Sequence, residues 1–188
     1  MGLPGVGSVS EGDVFYDTYL APLESRLLRT AWRITRDPDR ARDALQDALA
    51  RIWKHRQRVR SHPNPAALVL RIGIQAAIDV RRREGRWWRM GAGAMPRAVA
   101  AGGDANPGTT AERREIRALV LDAIARLPEK QAMAVTMRMM EDAPYEEVAA
   151  ALGCAEATAR VHVLRAREKL ARLLGHMAPA ERRAGGEP

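Results

Sequence analysis

Residues Pro144–Leu170, PYEEVAAALGCAEATARVHVLRAREKL, decide the fold of the C-terminal half of the chain. The pattern predicts two amphipathic helices joined at Gly153, because glycine accommodates a tight corner without a side-chain clash. Ala149, four residues earlier, is small enough for two helices to cross closely, and this spacing is typical of a helix-turn-helix. The residues predicted to face inward are Val148, Ala149 and Leu152 in the first helix, and Ala159, Val163, Ala166 and Leu170 in the second.

The opposite face of the second helix carries side chains that suit a DNA major groove. A recognition helix places residues of this kind against base edges and phosphates. The predicted DNA-binding residues are Thr158, Arg160, Val161, His162, Leu164 and Arg165. An ordinary helical hairpin with a solvated arginine face would show the same pattern, and both interpretations stay open at this point.

The N-terminal half also shows helical periodicity, and no stretch of the chain shows a strand pattern. Asp37 followed by Pro38 predicts a helix start, with an aspartate cap and proline at the first helical position. Residues from Arg58 to Pro65 are predicted to form a loop because of their two prolines. A third helix is predicted from Ala66, with Leu68, Val69, Ile72 and Ala76 on its apolar face and with Arg81, Arg82 and Arg83 at its end.

A segment rich in glycine separates the two halves. Residues 85–109 contain Pro96 and Pro107 and little periodicity, so we predict a flexible linker. Thr109 and Glu112 have the spacing of a capping box, which predicts a helix start there. The expected architecture is all-α, with two small helical domains at residues 12–84 and 110–176.

Composition limits the classes of function. The formal net charge is +8 and the pI about 10.6, which favours a polyanionic partner, either nucleic acid or an anionic membrane surface. The excess lies in the first half, where residues 11–89 hold 17 Arg and Lys against 10 Asp and Glu. The single Cys154 permits no intrachain disulfide and no cysteine-based metal cluster. No apolar run approaches the roughly 20 residues that span a membrane, so no membrane insertion is expected.

Enzymes are the least favoured class. The sequence shows no glycine-rich phosphate loop, no metal-ligand spacing of His, Cys and Asp, and no nucleophile beside a base. We therefore expect no catalytic residue, no metal and no cofactor.

Two long stretches resemble one family. LPEKQAMAVTMRMMEDAPYEEVAAALGCAEATARVHVLRAREKLARLL, residues 127–174, resembles domain 4 of an extracytoplasmic-function (ECF) sigma factor of the sigma-70 family. FYDTYLAPLESRLLRTAWRITRDPDRARDALQDALARIWKHR, residues 15–56, resembles the start of domain 2 of the same family, and LVLRIGIQAAIDVRRR, residues 68–83, resembles the helix that follows. Two matched domains in the right order around a linker are much more specific than a lone helix-turn-helix.

The resemblance implies a cytoplasmic sigma factor that binds core RNA polymerase, through its beta-prime clamp and beta flap, together with promoter DNA. Domain 4 would recognise the −35 element through the helix-turn-helix. Domain 2 would bind the clamp and hold the melted −10 element on a basic surface. The implied polymerase-binding residues are Asp43, Gln46, Asp47 and Trp53. The implied −10 residues are Arg58, Arg60, His62, Gln75, Asp79 and Arg82. An anti-sigma factor is a further partner that the resemblance implies.

The chain departs from the family pattern at Ala67, Gln75 and His162, where the family usually carries other residues. These departures leave open a degenerate mimic that sequesters an anti-sigma factor without binding promoters. The arginines on both halves argue against a mimic, because a decoy needs no DNA-facing charge. A stand-alone helix-turn-helix regulator is a third class, but it leaves residues 12–83 without a role.

Overall fold

The computed structural model describes residues 10–89 and 107–177, and all regular structure in these residues is helical. The all-α prediction is therefore confirmed for the described parts of the chain. A π-helical turn, Tyr16–Leu20, joins the first two helices. The helices are α1 (Glu11–Phe15), α2 (Ala21–Thr35), α3 (Pro38–Lys54), α4 (Arg56–Arg60), α5 (Pro65–Arg89), α6 (Pro107–Ala125), α7 (Glu129–Met140), α8 (Tyr145–Leu152) and α9 (Glu156–Met177).

The predicted start of α3 is confirmed. The Asp37 side chain accepts hydrogen bonds from the backbone N–H groups of Asp39 and Arg40, both at 3.0 Å. Pro38 is the first helical residue, where its missing N–H costs nothing. The preceding helix ends at Arg36, whose left-handed backbone (φ 59°) turns the chain towards this cap.

Three local predictions differ from the structure. Part of the expected loop from Arg58 is helical, because α4 extends to Arg60. The capping box predicted at Thr109 is wrong, because α6 already begins at Pro107. At the other end of the predicted linker, α5 continues to Arg89. The remainder of that linker, residues 90–106, lies outside the described residues.

Helices α2, α3 and α5 pack into the first bundle around a shared apolar core. Gly73 of α5 lies against Leu27 of α2. A Cβ atom at this position would lie 2.4 Å from Cδ2 of the buried Leu27 on α2. A side chain at residue 73 would therefore force the Leu27 side chain to move within the packed core.

Helices α6 to α9 form the second bundle. Every residue predicted to face inward in the helix-turn-helix is buried, from Val148 in α8 to Leu170 in α9. Three methionines and other side chains of α7 and α6 complete this core, in keeping with the ability of methionine to fill irregular spaces.

Helix α5 belongs to both bundles. Four successive residues, Ala67–Leu70, are buried, and at 100° per residue they point to every side of the helix. The single apolar face predicted from the sequence is therefore too narrow, and its member Ile72 is only partly buried. The reason is tertiary: α2 and α3 cover one side of α5, while α6, α7 and α8 cover the other. The buried apolar residues of both bundles form one continuous core.

Replacing Gly73 with alanine is expected to destabilise the protein. Alanine gains roughly 1 kcal/mol of helix propensity over glycine at any interior helix position. Overpacking against Leu27 costs about 1–3 kcal/mol and outweighs this gain. The matched control is Gly175→Ala in α9, where a new Cβ meets no atom within 4 Å. Urea unfolding should place Gly73→Ala at least 1 kcal/mol below Gly175→Ala; equal stabilities would show that α2 and α5 are not closely packed there.

Candidate nucleic-acid interface

The corner of the helix-turn-helix is built by backbone conformation. Gly153 has a left-handed backbone, with φ 63° and ψ 47°, which ends α8. The backbone N–H of Cys154 then donates to the carbonyl of Ala149 at 3.1 Å, and that of Gly153 donates to Ala150 at 3.3 Å. These two bonds satisfy carbonyls that the end of a helix leaves free. They also fix the direction in which α9 leaves the corner.

Helix α9 presents one exposed face that mixes apolar and basic side chains. Val161 is 40% exposed and Leu164 58% exposed. Thr158, Arg160 and Arg165 are exposed beside them. Aliphatic and arginine side chains on one helix face suit a DNA major groove, because the groove presents both thymine methyl groups and hydrogen-bond acceptors. Five of the six predicted DNA-binding residues of α9 therefore lie on an accessible surface.

His162 is the exception. It is partly buried, and its Nδ1 atom lies inside the structure without a hydrogen-bond partner. Burial, together with the positive charges of Lys130 and Arg165, lowers the pKa of His162 below its ordinary value. The His162 ring is therefore partly buried, unlike the other five predicted DNA-binding residues of α9.

Arg160 is held in place before any DNA binds. Its guanidinium forms an ion pair with Glu156, one helical turn earlier. It also lies over the aromatic ring of Tyr145 in α8, 4.2 Å from the ring centroid. Arg138 of α7 lies over the same ring at 4.8 Å, so two arginines contact Tyr145. The sequence analysis did not single out Tyr145, because nothing in the local pattern shows which cations lie beside it.

The predicted −10 residues do not form a single surface. Arg58 is exposed on α4. Arg60 forms an ion pair with Glu11 at 2.6 Å and lies over the ring of Phe15. His62 is hydrogen-bonded within the turn to Asn64. Arg58 and Arg60 lie in α4, and His62 lies in the turn that follows it.

Gln75 and Asp79 lie elsewhere, in a polar network between α3 and α5. Gln75 donates to Asp79 at 2.9 Å, and Arg51 bridges Asp79 at 3.0 Å and Asp47 at 2.7 Å. Burial lowers the pKa of Arg51, but its hydrogen bonds to Asp79 and Asp47 outweigh that effect and raise the pKa overall. The sequence analysis did not identify Arg51. Its position four residues after Asp47 predicts the contact with Asp47, but no local pattern predicts the contact with Asp79.

Arg82 contacts the second bundle. Its guanidinium donates to the carbonyls of Ala125 and Leu127, both at 2.9 Å, where α6 ends. Side chains that donate to the last carbonyls of a helix stabilise its C-terminus. In this conformation Arg82 is therefore a structural contact between the two bundles.

The predicted polymerase-binding residues occupy one side of α3. Asp43 and Gln46 are exposed, and Asp47 is partly buried by its pair with Arg51. Trp53 is 44% exposed and meets the ring of Phe15 edge-on, with 5.7 Å between centroids. The Arg56 guanidinium also lies over the Trp53 ring, 5.1 Å from its centroid, so the exposed ring is flanked by both Phe15 and Arg56.

Among residues 10–89 and 107–177, no group of three or more His, Cys, Asp and Glu side chains is arranged to hold a metal ion. In the same residues no helix combines the length and the apolar character needed to cross a bilayer.

Removing the ring of Tyr145 should weaken DNA binding through Arg160. A cation–π contact at an exposed site is worth about 0.5–1 kcal/mol, so Tyr145→Leu should weaken binding to double-stranded DNA about two- to fivefold. Tyr145→Phe keeps the ring and should bind as the wild type does.

A double-mutant cycle measured by fluorescence anisotropy shows whether Tyr145 affects DNA binding through Arg160. If Tyr145 acts by positioning Arg160, Tyr145→Leu has no further effect in an Arg160→Ala background. Additive losses would instead show that the tyrosine affects binding independently of that arginine.

Both halves of the chain match known families. The family described as Sigma-70 region 2 matches residues 20–87, and the family described as Sigma-70, region 4 matches residues 117–170. The two matches coincide with the first bundle and with most of the second.

Two RNA polymerase sigma-E factors are similar over most of their length, and a third protein is similar over a shorter stretch. The RNA polymerase sigma-E factor of Streptomyces coelicolor is 31% identical over 156 residues, which covers 82% of this chain and 83% of that protein. The sigma-E factor of Streptomyces avermitilis is 30% identical over 169 residues, covering 86% and 87%. The ECF RNA polymerase sigma-E factor of Escherichia coli is 38% identical over 65 residues, about a third of each chain.

A solved structure shows the same fold. The sigma factor RpoE, crystallised in complex with the anti-sigma factor NepR from Bartonella quintana, superposes with a TM-score of 0.51. The match covers 85% of this chain and 96% of that one, at 24% sequence identity.

Proposed function

Because this chain belongs to the extracytoplasmic-function sigma factors of the sigma-70 family, we propose that it directs core RNA polymerase to promoters through contacts with the −35 and −10 elements. The observation that carries this proposal is the exposed face of α9. It combines two accessible aliphatic side chains with arginines on a helix that a fixed glycine corner projects from the domain.

The −35 element is assigned to this face, with domain 4 extending over residues 110–176. Arg165 and Arg160 provide charge for phosphates or guanine edges, and Val161 and Leu164 provide apolar contacts for thymine methyls. Thr158 lies near the N-terminus of α9, where backbone N–H groups also favour a phosphate. His162 is proposed to support the helix from its margin, in agreement with its buried Nδ1 atom.

The −10 element is assigned to the basic turn between α4 and α5 of domain 2, residues 12–84. Arg58 and Arg60 lie in α4, and His62 lies in this turn. An unstacked strand needs such a cationic surface, because flipping a base costs a few kcal/mol that phosphate contacts must help to offset. Gln75 and Asp79 belong to the α3–α5 network, and we propose that they support the structure of this region.

Polymerase binding is assigned to the acidic side of α3. Asp43, Gln46 and Asp47 would meet basic groups of the beta-prime clamp, and the partly exposed Trp53 extends this side. Domain 4 is proposed to contact the beta flap. In this role the chain is a specificity subunit without catalysis of its own, and the polymerase that it serves places it in the cytoplasm. An anti-sigma factor is a further proposed partner, on the strength of the family resemblance.

The competing roles are less well supported. A mimic of a sigma factor has no need of an exposed basic reading face, whereas Arg160 and Arg165 are accessible on α9. A stand-alone helix-turn-helix regulator has no use for a first bundle that matches Sigma-70 region 2 over residues 20–87.

Run-off transcription with core polymerase on fragmented DNA from the source genome tests the proposal. The protein should produce discrete new transcripts, and their start sites should reveal both promoter elements. Arg165→Ala should reduce these transcripts about 5- to 100-fold, because one base or phosphate contact is worth about 1–3 kcal/mol. The matched control is Arg113→Ala, an exposed arginine on α6, which should leave the transcripts unchanged. No transcripts from a wild-type protein that binds polymerase would contradict the proposal.

Asp43→Arg tests the polymerase face most cleanly. Asp43 is exposed, whereas Asp47 also anchors Arg51, so reversing the charge of Asp47 would disturb the α3–α5 network as well. Asp43→Arg should weaken binding to core polymerase at least tenfold in an anisotropy titration, since it brings like charges together. Asp17→Arg makes the same charge change on an exposed residue outside α3 and is the control. Equal affinities for the two variants would remove α3 from the polymerase interface.

A further inference from the structure

Side chains from three helices of the second bundle meet at Tyr145. It is the first residue of α8, and Arg160 of α9 and Arg138 of α7 lie over its ring, 4.2 Å and 4.8 Å from the centroid. Arg138 also donates to the carbonyl of Ala143 at 2.5 Å, so it spans the turn that precedes α8. Two guanidinium groups from separate helices therefore converge on one phenol.

The other two tyrosines of the chain have different surroundings. Tyr16 donates its hydroxyl proton to Glu24, and this hydrogen bond raises the pKa of the phenol. Tyr19 packs its ring against Phe15, with 5.1 Å between the centroids. Within the described ranges, Tyr145 is the one tyrosine that has arginines over its ring. Its surroundings are therefore those of a group that would benefit from negative charge.

The hydroxyl of Tyr145 is accessible from solution. The ring is partly buried against the core of the second bundle. In the part of the chain that the structure describes, the hydroxyl oxygen makes no hydrogen bond, and it is not enclosed by other atoms. The oxygen therefore reaches the protein surface, where an enzyme can approach it.

The ion pair that now holds Arg160 is weak enough to be exchanged. Arg160 is 59% exposed and its partner Glu156 is 47% exposed, and an ion pair so open to water contributes little to stability. A phosphate group on a tyrosine carries a charge of about −2 and three acceptor oxygens, so it binds a guanidinium more strongly than a carboxylate does. A phosphate at Tyr145 would therefore displace Glu156 from Arg160.

The acidic side chains that follow Tyr145 oppose a phosphate only weakly. Glu147 lies 3.6 Å from Arg26, so its charge is partly compensated. Glu146 is exposed, and water and salt screen its charge. The two guanidinium groups in contact with the ring therefore dominate the electrostatic surroundings of the phenol.

We propose that Tyr145 is a phosphorylation site and that Arg138 and Arg160 bind its phosphate, which withdraws Arg160 from promoter DNA. A protein kinase would transfer the γ-phosphoryl group of a nucleoside triphosphate to the Tyr145 oxygen. An O–P bond forms there, the bond from the γ-phosphorus to the leaving nucleoside diphosphate breaks, and the hydroxyl proton passes to a base of the kinase. The effect on promoters rests on the proposed function, whereas the phosphate site rests only on the residues around Tyr145.

Phosphorylation would oppose −35 binding in two ways. Arg160 lies on the exposed face of α9, so a phosphate that binds its guanidinium removes hydrogen-bond donors from the DNA groove. The phosphate also adds negative charge beside a helix that approaches the negatively charged DNA backbone. The unmodified ring has the opposite effect, since it holds Arg160 in place without adding charge.

Full-length protein with phosphotyrosine incorporated at position 145 during translation tests the effect on DNA. Its affinity for a double-stranded −35 fragment, identified by run-off transcription and measured by fluorescence anisotropy, should be at least about tenfold lower than that of the unmodified protein. The matched control is phosphotyrosine at position 16, because Tyr16 is an exposed tyrosine of the first bundle. That form should stay within about twofold of the unmodified protein. Equal affinities of the two phosphorylated forms would overturn the proposal.

Phosphorus NMR tests the phosphate site without any DNA. Bound guanidinium groups stabilise the phosphate dianion, so the second pKa of phosphorylated Tyr145 should lie below its ordinary value. Replacing both partners, by Arg138→Gln with Arg160→Gln, should move the titration midpoint back towards that value. The exposed pair Arg113→Gln with Arg167→Gln removes the same charge and should leave the midpoint unchanged. An identical midpoint with and without Arg138 and Arg160 would overturn the assignment.

Extracts of the source organism test whether the modification occurs. The purified full chain, incubated with radiolabelled ATP and extracts of growing, starved and stressed cells, should become labelled at Tyr145, as located by mass spectrometry. Tyr145→Phe should lose that label. A label only on other residues, or none from any extract, would overturn the proposal. If run-off transcription yields no −35 fragment, the proposed function fails, while the NMR titration and the labelling still decide the phosphate site.

Discussion

The burial of α5 on every side is the constraint on which the rest of the structure depends. A helix with one apolar face needs only one neighbouring layer, but Ala67–Leu70 require apolar contacts all round. Helices α2 and α3 supply one side and the second bundle supplies the other. Gly73 lies against Leu27 of α2, and the arginines of α5 donate to the ends and sides of α6 and α8.

The arginines of this protein fall into two groups, which differ in whether their hydrogen-bond donors are engaged between the bundles or accessible. Those at the interface between the bundles, such as Arg81, give their hydrogen-bond donors to carboxylates and helix carbonyls. Those on α9 and α4, such as Arg165 and Arg58, remain accessible. A basic sequence is thus not equivalent to a basic DNA-binding surface. The accessible group is available to a nucleic acid, whereas the donors of the interface group are engaged within the chain.

The helix-turn-helix was predictable in detail because its determinants are local. Gly153 ends α8 with a left-handed backbone, and residues three or four apart share one face of a helix. The exposed face of α9 follows from the same periodicity. His162 is less exposed than this periodicity predicts, because its surroundings depend on Lys130 and on the packing of α7 against α9. Local spacing contains no information about a neighbouring helix.

Local sequence patterns were sufficient to predict the all-helical fold, the aspartate cap of α3, the glycine corner and the inward-facing residues of the helix-turn-helix. Each of these depends on residues within about one or two helical turns. The packing of the helices was needed to show that Arg82 contacts the end of α6, that Arg51 joins Asp47 to Asp79, and that Arg138 and Arg160 both lie over the ring of Tyr145. Each of these arrangements brings together groups from separate parts of the chain, which lie next to one another because of the burial of α5 and the packing of the bundles around it.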